Sequence, residues 1–291
     1  MKLIKGFGLL SFLVLLTGSC FDPPEFPVVP EIEFERLEFK PAPTQVDDDS
    51  LLIYLRFRDG DGDLGLSADD VRHISAPYHV NNYYQENNGT IIPIPTASGI
   101  LEGRHYDLLL IPDATKGHLV TFNTRLKPGY EFLPQSFHCR SYQYLGGTGE
   151  NDGTRLLIQA ADLPAIGPEI EVVDTFYAPA TREPVYYQIR DTLYYTTNPN
   201  HYNIEVDFLV KEGAEFHEFD WSNFCGTTYD QRFPVLSDPG TSVDGTLRYA
   251  ITSVALRAMF TIKPLKLRIK IRDRALNESN VIETPEFTLI Q

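Results

Sequence analysis

Cysteine and basic residues are scarce in this chain of 291 residues, and their scarcity limits what it can do. It has 3 cysteines and 7 scattered histidines, with no Cys and His ligands at the spacing of a zinc site. Against 40 acidic residues stand 25 Lys and Arg, a formal net charge of −15. A surface this acidic repels phosphate backbones, so we expect no nucleic-acid partner.

Recognisable catalytic motifs are absent as well. The sequence has no H-E-x-x-H and no G-x-S-x-G, and the Gly-rich run GGTGENDGT lacks the Lys-Ser/Thr and the helix of a P-loop. We therefore expect a non-enzymatic protein. An envelope hydrolase stays open as an alternative, because paired carboxylates are compatible with a chain that has 40 acids.

One long apolar run opens the chain, in MKLIKGFGLLSFLVLLTGSC. Lys2 and Lys5 precede an apolar stretch over 6–16, which is shorter than the roughly 20 residues of a spanning helix. Small residues and Cys20 follow, although Thr17 stands where Leu is usual. This resembles the lipobox of bacterial lipoproteins, which implies a signal peptide over 1–19 and a diacylglycerol thioether on Cys20. The alternative is an ordinary secretory peptide.

Residues 20–30 follow as a proline-rich segment without periodicity, which predicts an extended tether. Several acyl chains on Cys20 would anchor this tether stably. Asp22 and Glu25 are similar to the surface-export signals of Bacteroidota lipoproteins, or they are simply polar tether residues. We expect an outer-membrane protein held by lipid, with the membrane face left open.

Alternating apolar and polar residues predict half-buried strands in the mature chain. In LKLRIKIRD, four aliphatic residues alternate with four cations. In EIEFERLEF the apolar phase slips by one residue, and a bulge near Glu35 and Arg36 would return both halves to the core. The predicted strands are 32–39, 50–58, 202–210, 215–219, 233–236, 246–252 and 265–272, closed by 280–290.

About seven strands separated by turns predict an all-β, immunoglobulin-like sandwich. The run LKLRIKIRDRALNESNVIETPEFTL resembles the last two strands of fibronectin type III and bacterial Ig-like domains, through a D-x-A-x-N-x-S turn. The sandwich would use residues 31–70 and 201–291. As a whole the chain is similar to Ig-like lipoproteins of Bacteroidota, a family that implies no settled activity.

A loop-rich region over 71–200 separates the second and third predicted strands. It holds most of the Gly-, Asn- and Pro-rich turns and short strand-like runs at 106–111, 118–125 and 155–160. We interpret it as a β-rich insertion at one end of the sandwich. Two consecutive sandwiches divided near residue 165 are the alternative.

The acidic run RDGDGDLGLSADD follows the second strand directly. Asp59, Asp61 and Asp63 converge on one cation only if the backbone curls, which Gly60 and Gly62 allow. The twelve-residue window that closes at Asp70 resembles an EF-hand or dockerin loop, but Leu64 stands where the turn glycine belongs. A solvated Asp-Gly turn without an ion is the alternative.

Sandwich topology brings a second acidic segment to this loop. The loop between the second and third strands and the final hairpin turn lie at the same end of an Ig-like fold. Asp273 and Asn277, from the turn DRALN, would therefore add oxygens to the same ion. We predict a structural Ca²⁺ held by Asp59, Asp61, Asp63, Asp70, Asp273 and Asn277, because calcium takes 6–8 hard oxygen ligands.

Cys139 and Cys225 remain once Cys20 carries lipid. In an oxidising envelope compartment they pair and link the insertion to the sandwich, or they stay separate thiols. The leading hypothesis is a non-catalytic, calcium-stabilised Ig-like lipoprotein for binding or scaffolding. A carbohydrate-binding accessory protein of a glycan-uptake system is the main alternative. Its aromatic platform would use Phe219, Trp221, Phe224 and Tyr229.

Overall fold

A computed structural model describes residues 26–44, 47–101, 104–146, 155–221, 228–253, 255–260 and 262–289. The chain is all-β in these ranges, with short helices α1 (Val71–Ile74) and α2 (Ala255–Phe260), and no described helix is long and apolar enough to cross a membrane. The strands are β1 Glu31–Lys40, β2 Asp49–Asp59, β3 Asn81–Asn87, β4 Thr90–Ile94, β5 Thr96–Leu101, β6 Arg104–Leu110, β7 Tyr142–Leu145, β8 Leu156–Gln159, β9 Glu171–Tyr177, β10 Pro184–Thr197, β11 Ile204–Glu212, β12 Glu215–Glu218, β13 Val243–Ser253, β14 Leu265–Ile271 and β15 Ile282–Glu283.

Two antiparallel sheets form the predicted sandwich, in the orders β1-β2-β13 and β12-β11-β14-β15. The two sheets face each other because apolar and polar residues alternate along their strands, which gives each sheet one apolar face. Every second residue of β14 is buried, from Leu265 to Ile271, while the cations between them are half-buried on the outer face. The inward residues of β2, β11, β13 and β14 meet in one hydrophobic core. The predicted all-β sandwich is confirmed.

The predicted bulge in β1 is confirmed too. The pairing of β1 with β2 shifts register between Phe34 and Arg36. Ile32 before the shift is 2% exposed, and Leu37 and Phe39 after it pack against the same core. One extra residue therefore restores the inward phase of the second half of the strand.

A third sheet lies between β2 and β11 in the chain, as the insertion hypothesis requires. It follows the order β4-β3-β10-β8-β6-β5, and β7 and β9 also pair with β10, its long central strand. β2 pairs along its whole length with β13 from the far end of the chain. The alternative of two sandwiches divided near residue 165 is therefore wrong, because β8 and β10 pair across that point.

The predicted strand over 233–236 is wrong, and the closing strand is shorter than 280–290. Phe233 and Leu236 bond instead to the loop after β2: the Leu66 amide donates to the Phe233 carbonyl at 3.0 Å, and the Leu236 amide to the Leu64 carbonyl at 3.2 Å. Among the described residues after β15, up to 289, an isolated bridge at Phe287 alone continues the last strand. In the insertion, 118–125 forms isolated bridges rather than a strand.

Candidate cation site

The acidic loop runs from the end of β2 at Asp59 to α1 and packs against the segment 231–241. Gly62 and Gly65 have positive φ values of 65° and 95°, a region that favours glycine. A Cβ on Gly62 would lie 2.1 Å from the Thr241 carbonyl oxygen, and one on Gly65 would lie 2.1 Å from that of Pro234. The glycines therefore allow both the curl of the loop and its close approach to its neighbour.

Carboxylates of the loop meet one from the turn after β14. Asp59, Asp63 and Asp273 each place one carboxylate oxygen within 4.8 Å of the others. Asp59 is fully buried and Asp273 is 2% exposed. We call this end of the sandwich, formed by residues 59–70 and 273–277, the acidic pole.

Part of each carboxylate is already held by protein donors. Oδ2 of Asp59 accepts from the Asp63 amide at 3.0 Å, and Oδ2 of Asp63 accepts from the Ala275 amide at 3.0 Å. The Asn277 amide and its Nδ2 donate to the two oxygens of Asp273 at 2.7 and 2.8 Å. These bonds orient the three carboxylates relative to one another.

Three oxygens of the loop have no hydrogen-bond partner although they are buried. They are Oδ1 of Asp59, Oδ1 of Asp61 and Oδ1 of Asp63. A buried, unpaired carboxylate oxygen costs free energy, because water is lost and nothing replaces it. The charge of Arg274 opposes the rise in the pKa of Asp63, but its guanidinium donates its hydrogen bonds to the carbonyl oxygens of Gly62, Leu64 and Gly65 and leaves the three Oδ1 atoms without a donor.

The electrostatics of the pole favour a bound cation. Burial, followed by the charges of Asp61 and Asp63, raises the pKa of Asp59 to about 6. Burial and then the charge of Asp273 raise the pKa of Asp63, and burial raises that of Asp273 as well. A divalent cation would remove the repulsion that contributes to these shifts.

Oxygen spacing at the pole suits calcium. Calcium binds oxygen at roughly 2.3–2.6 Å, so two ligands of one ion lie at most about 5 Å apart. The 4.8 Å limit on the oxygens of Asp59, Asp63 and Asp273 is within that range. The Oδ1 atom of Asp61, which has no hydrogen-bond partner, is a further oxygen in the same loop of the kind that calcium binds.

Asp70 and Asn277 do not have the places expected of them. Asp70 caps α1, and both of its oxygens bond to Arg72, with Oδ2 at 2.6 Å from Nη2. Its assignment as a ligand is wrong, because the helix that starts there takes its carboxylate. Asn277 supports Asp273 from outside the cluster through Nδ2. Sequence reasoning also missed Arg274, although it directly follows Asp273.

The cysteine and aromatic predictions fall partly on residues outside those described. Cys139 is disulfide-bonded, but Cys225 and the lipidation residue Cys20 lie outside the described residues, so the pairing stays a prediction. Trp221 contacts Phe219 with ring centroids 4.5 Å apart, and both pack against the sandwich core. Tyr229 is buried. Phe224 also lies outside the described residues.

Comparison of the chain with family models, with curated proteins and with solved structures found no match.

Proposed function

We propose that the protein is a non-catalytic, lipid-anchored envelope protein whose Ig-like sandwich is stabilised by Ca²⁺ at the acidic pole and presents the inserted sheet for binding or scaffolding. The observation that carries the proposal is the set of buried Oδ1 atoms of Asp59, Asp61 and Asp63 without hydrogen-bond partners, in a loop where Asp59 and Asp63 converge with Asp273. A bound Ca²⁺ would give these oxygens the direct partner that hydrogen bonds from the described residues do not provide.

The ion would add a tie at the acidic pole between the two sheets, which already pack together in the hydrophobic core. Asp59 ends β2, Asp61 and Asp63 belong to the loop, and Asp273 follows β14 in the opposite sheet. The same loop continues into α1 and the insertion. Tyr78, at the start of the insertion, donates its hydroxyl to the carbonyl of Arg274. Calcium would thus stiffen the pole and fix the direction in which the insertion leaves it.

Position of the tether supports a role close to the membrane. The Gly60 amide donates to the Pro27 carbonyl at 2.8 Å, so the chain that leads from the proposed anchor at Cys20 enters the fold beside the acidic loop. The insertion begins a few residues later. Tether, cation site and insertion therefore share one end of the sandwich.

The described aromatic residues do not favour the carbohydrate-binding alternative. An exposed platform would leave the rings of Phe219 and Trp221 open to a sugar, but Phe208, Tyr229 and Phe260 contact the Trp221 ring. These rings close one edge of the core. Binding by the insertion is the better hypothesis, and exposed apolar side chains such as Phe132, Phe137 and Tyr144 support it.

Calcium titration of the mature chain tests the proposal. We expect saturable binding of about one Ca²⁺ per chain, and a melting temperature that rises with calcium and falls when a chelator is added. Asp63→Asn should abolish the response and Asp70→Asn should keep it. An unchanged melting temperature in chelator would refute the role of the ion.

Mass spectrometry of the N-terminal peptide tests the anchor independently, with a diacylglyceryl group on Cys20 as the expected result.

A further inference from the structure

A second candidate site lies where the sandwich meets the inserted sheet. It is a cavity of about 380 Å³, at the small end of the range of roughly 300–1,000 Å³ found for ligand sites. The residues around it come from the loop, the insertion and the segment before β13. None of the proposed calcium ligands is among them.

The walls of this cavity are mainly apolar. Leu108 and Leu145 come from the inserted sheet, and Ile74 and Val80 come from the segment that leads into it. Leu145 is buried, and Val80 is 50% exposed, which places it at the rim. A ligand with a short hydrocarbon body would lose water from its surface against these side chains, which favours binding.

One cation borders the cavity without a counter-charge. Nη2 of Arg232 donates to the carbonyl oxygens of His73 at 2.6 Å and Ser67 at 3.4 Å. Nε is buried without a partner, Nη1 makes no hydrogen bond with a described residue, and no described carboxylate forms an ion pair with this side chain. A guanidinium stays charged in proteins, so its desolvation here is poorly compensated.

A neutral hydrogen-bond donor, the amide of Gln143, borders the cavity from the inserted sheet. Oε1 of Gln143 on β7 accepts from Nδ2 of Asn81 at 3.1 Å and from the hydroxyl of Tyr83 at 3.0 Å. These bonds orient the amide, and its Nε2 donors make no hydrogen bond with a described residue. The free polar groups of Arg232 and Gln143 are therefore donors, which match an acceptor-only ligand group.

We propose that this cavity binds a small organic carboxylate with a short apolar body. Its carboxylate accepts hydrogen bonds from Arg232, with Gln143 as a second donor, and its hydrocarbon part lies against Leu108 and Leu145. Arginine suits this role because its fork of donors matches carboxylate geometry. In a chain with a net charge of −15, an unneutralised cation in an apolar cavity is a local feature that selects anions.

Calorimetric titration of the mature, calcium-loaded chain with hexanoate tests the inference. The matched probes are 1-hexanol, which keeps the chain but has no charge, and hexylammonium, which has the opposite charge. We expect saturable hexanoate binding that is at least about tenfold tighter than binding of either other probe. Absence of saturable binding up to hexanoate concentrations on the order of 10 mM, or equal binding of hexylammonium, would overturn the proposal.

Variants then locate the binding. Arg232→Gln should weaken hexanoate binding about tenfold or more, while Arg36→Gln, an exposed arginine on β1, should leave it unchanged. Equal affinity in the wild type and in Arg232→Gln would overturn the assignment. If circular dichroism shows that Arg232→Gln does not fold, Val80→Trp decides instead. The larger side chain at the rim blocks the cavity and should abolish binding without changing the fold, and retained binding would overturn the proposal.

Discussion

At the scale of single residues, Asp59 makes the stability of the metal-free protein depend on pH. Its pKa is raised to about 6, first by burial and then by the charges of Asp61 and Asp63. An unfolded Asp titrates near 3.9, so between about pH 4 and pH 6 the folded chain keeps a proton that the unfolded chain has lost. Stability in chelator should therefore fall as the pH rises through this interval, by on the order of 2 kcal/mol. Melting temperatures measured in chelator from about pH 4.5 to 7.5 check this.

Saturating calcium is the control for that measurement. The ion binds the ionised carboxylates, so acid should release it, and stability with calcium should rise with pH through the same interval. Identical pH profiles with and without calcium would contradict the cation site, because Asp59 would then titrate without regard to the ion.

Removing the charge of Asp59 should have opposite effects with and without metal. In chelator, Asp59→Asn removes a buried charge that burial and two neighbouring carboxylates disfavour, so the melting temperature should rise. In calcium the variant lacks a ligand and should lose most of the stabilisation, about 2.7 kcal/mol when calcium is at 100 times its Kd. Asp70→Asn is the matched control. Its carboxylate pairs with Arg72 at the surface, so the response to calcium should stay that of the wild type.

The alternation of Asp and Gly in the loop predicted the convergence of Asp59 with Asp63, and sandwich topology added Asp273. Both inferences rest on regular geometry. Asp70 was assigned wrongly because the same residue type also caps helices, and the counting of loop positions does not show which use prevails. Arg274 was missed because its partners are backbone carbonyls, which the sequence does not mark.

At the scale of elements, one asparagine ties the two sheets of the sandwich together. Oδ1 of Asn280, between β14 and β15, accepts from the Ile32 amide at 2.8 Å, and its Nδ2 donates to the Ile32 carbonyl at 2.9 Å. Its side chain thus serves as a strand partner for β1. Asn280→Ala should lower the free energy of unfolding by about 1–3 kcal/mol, because two backbone groups lose their bonds. Chemical denaturation measures this.

Asn123→Ala is the matched control for Asn280→Ala. Asn123 is exposed and its side chain makes no capping hydrogen bond, so its replacement should change stability by less than about 0.5 kcal/mol. Equal effects of the two substitutions would show that the bonds to Ile32 contribute nothing.

Strands were predictable where burial alternates, and less so elsewhere. β14 shows a strict period of two, and the slip in β1 predicted its bulge. The segment 233–236 has the apolar content of a strand, but its backbone bonds to the acidic loop instead. Phe233 is buried and Leu236 packs against the core, but Val235 is 40% exposed, so the pattern predicts the burial only in part and the strand pairing wrongly.

At the scale of the whole molecule, the sandwich and the insertion have separate cores. The sandwich core uses residues from 32 to 64 and from 204 to 289, and the two clusters of the insertion use residues from 83 to 195. The two ends of the insertion also lie close together, since Nδ1 of His201, which directly follows it, donates to the carbonyl of Tyr78 near its start at 2.9 Å. The insertion was predictable because the first two strands have no later partners unless the C-terminal strands pair with them. The order of the short inserted strands was not predictable, because it depends on distant pairings that local patterns do not encode.

Deletion of the insertion should therefore leave a folded sandwich. We would replace residues 80–199 by a short glycine linker and change Cys225 to serine, to avoid an unpaired thiol. The acidic pole remains, so the variant should unfold cooperatively and keep its calcium response, but it should not bind hexanoate. Circular dichroism and calorimetry measure all three properties. An unfolded product would show that the sandwich depends on the insertion.

The short tether should keep the acidic pole close to the membrane. Pro27, which contacts the loop, is seven positions after the proposed anchor at Cys20, so the two are at most about 25 Å apart. The opposite end of the sandwich lies about 35 Å from the acidic pole, the length of the 11 residues of β2 at about 3.3 Å each. In lipidated protein in nanodiscs, a fluorophore on Asp69→Cys should transfer energy to labelled lipid more efficiently than one on Glu215→Cys, because both positions are exposed but at opposite ends. Equal or reversed transfer would contradict the placement of the acidic pole next to the membrane. The insertion, which leaves the same end of the sandwich, would then not face the bilayer.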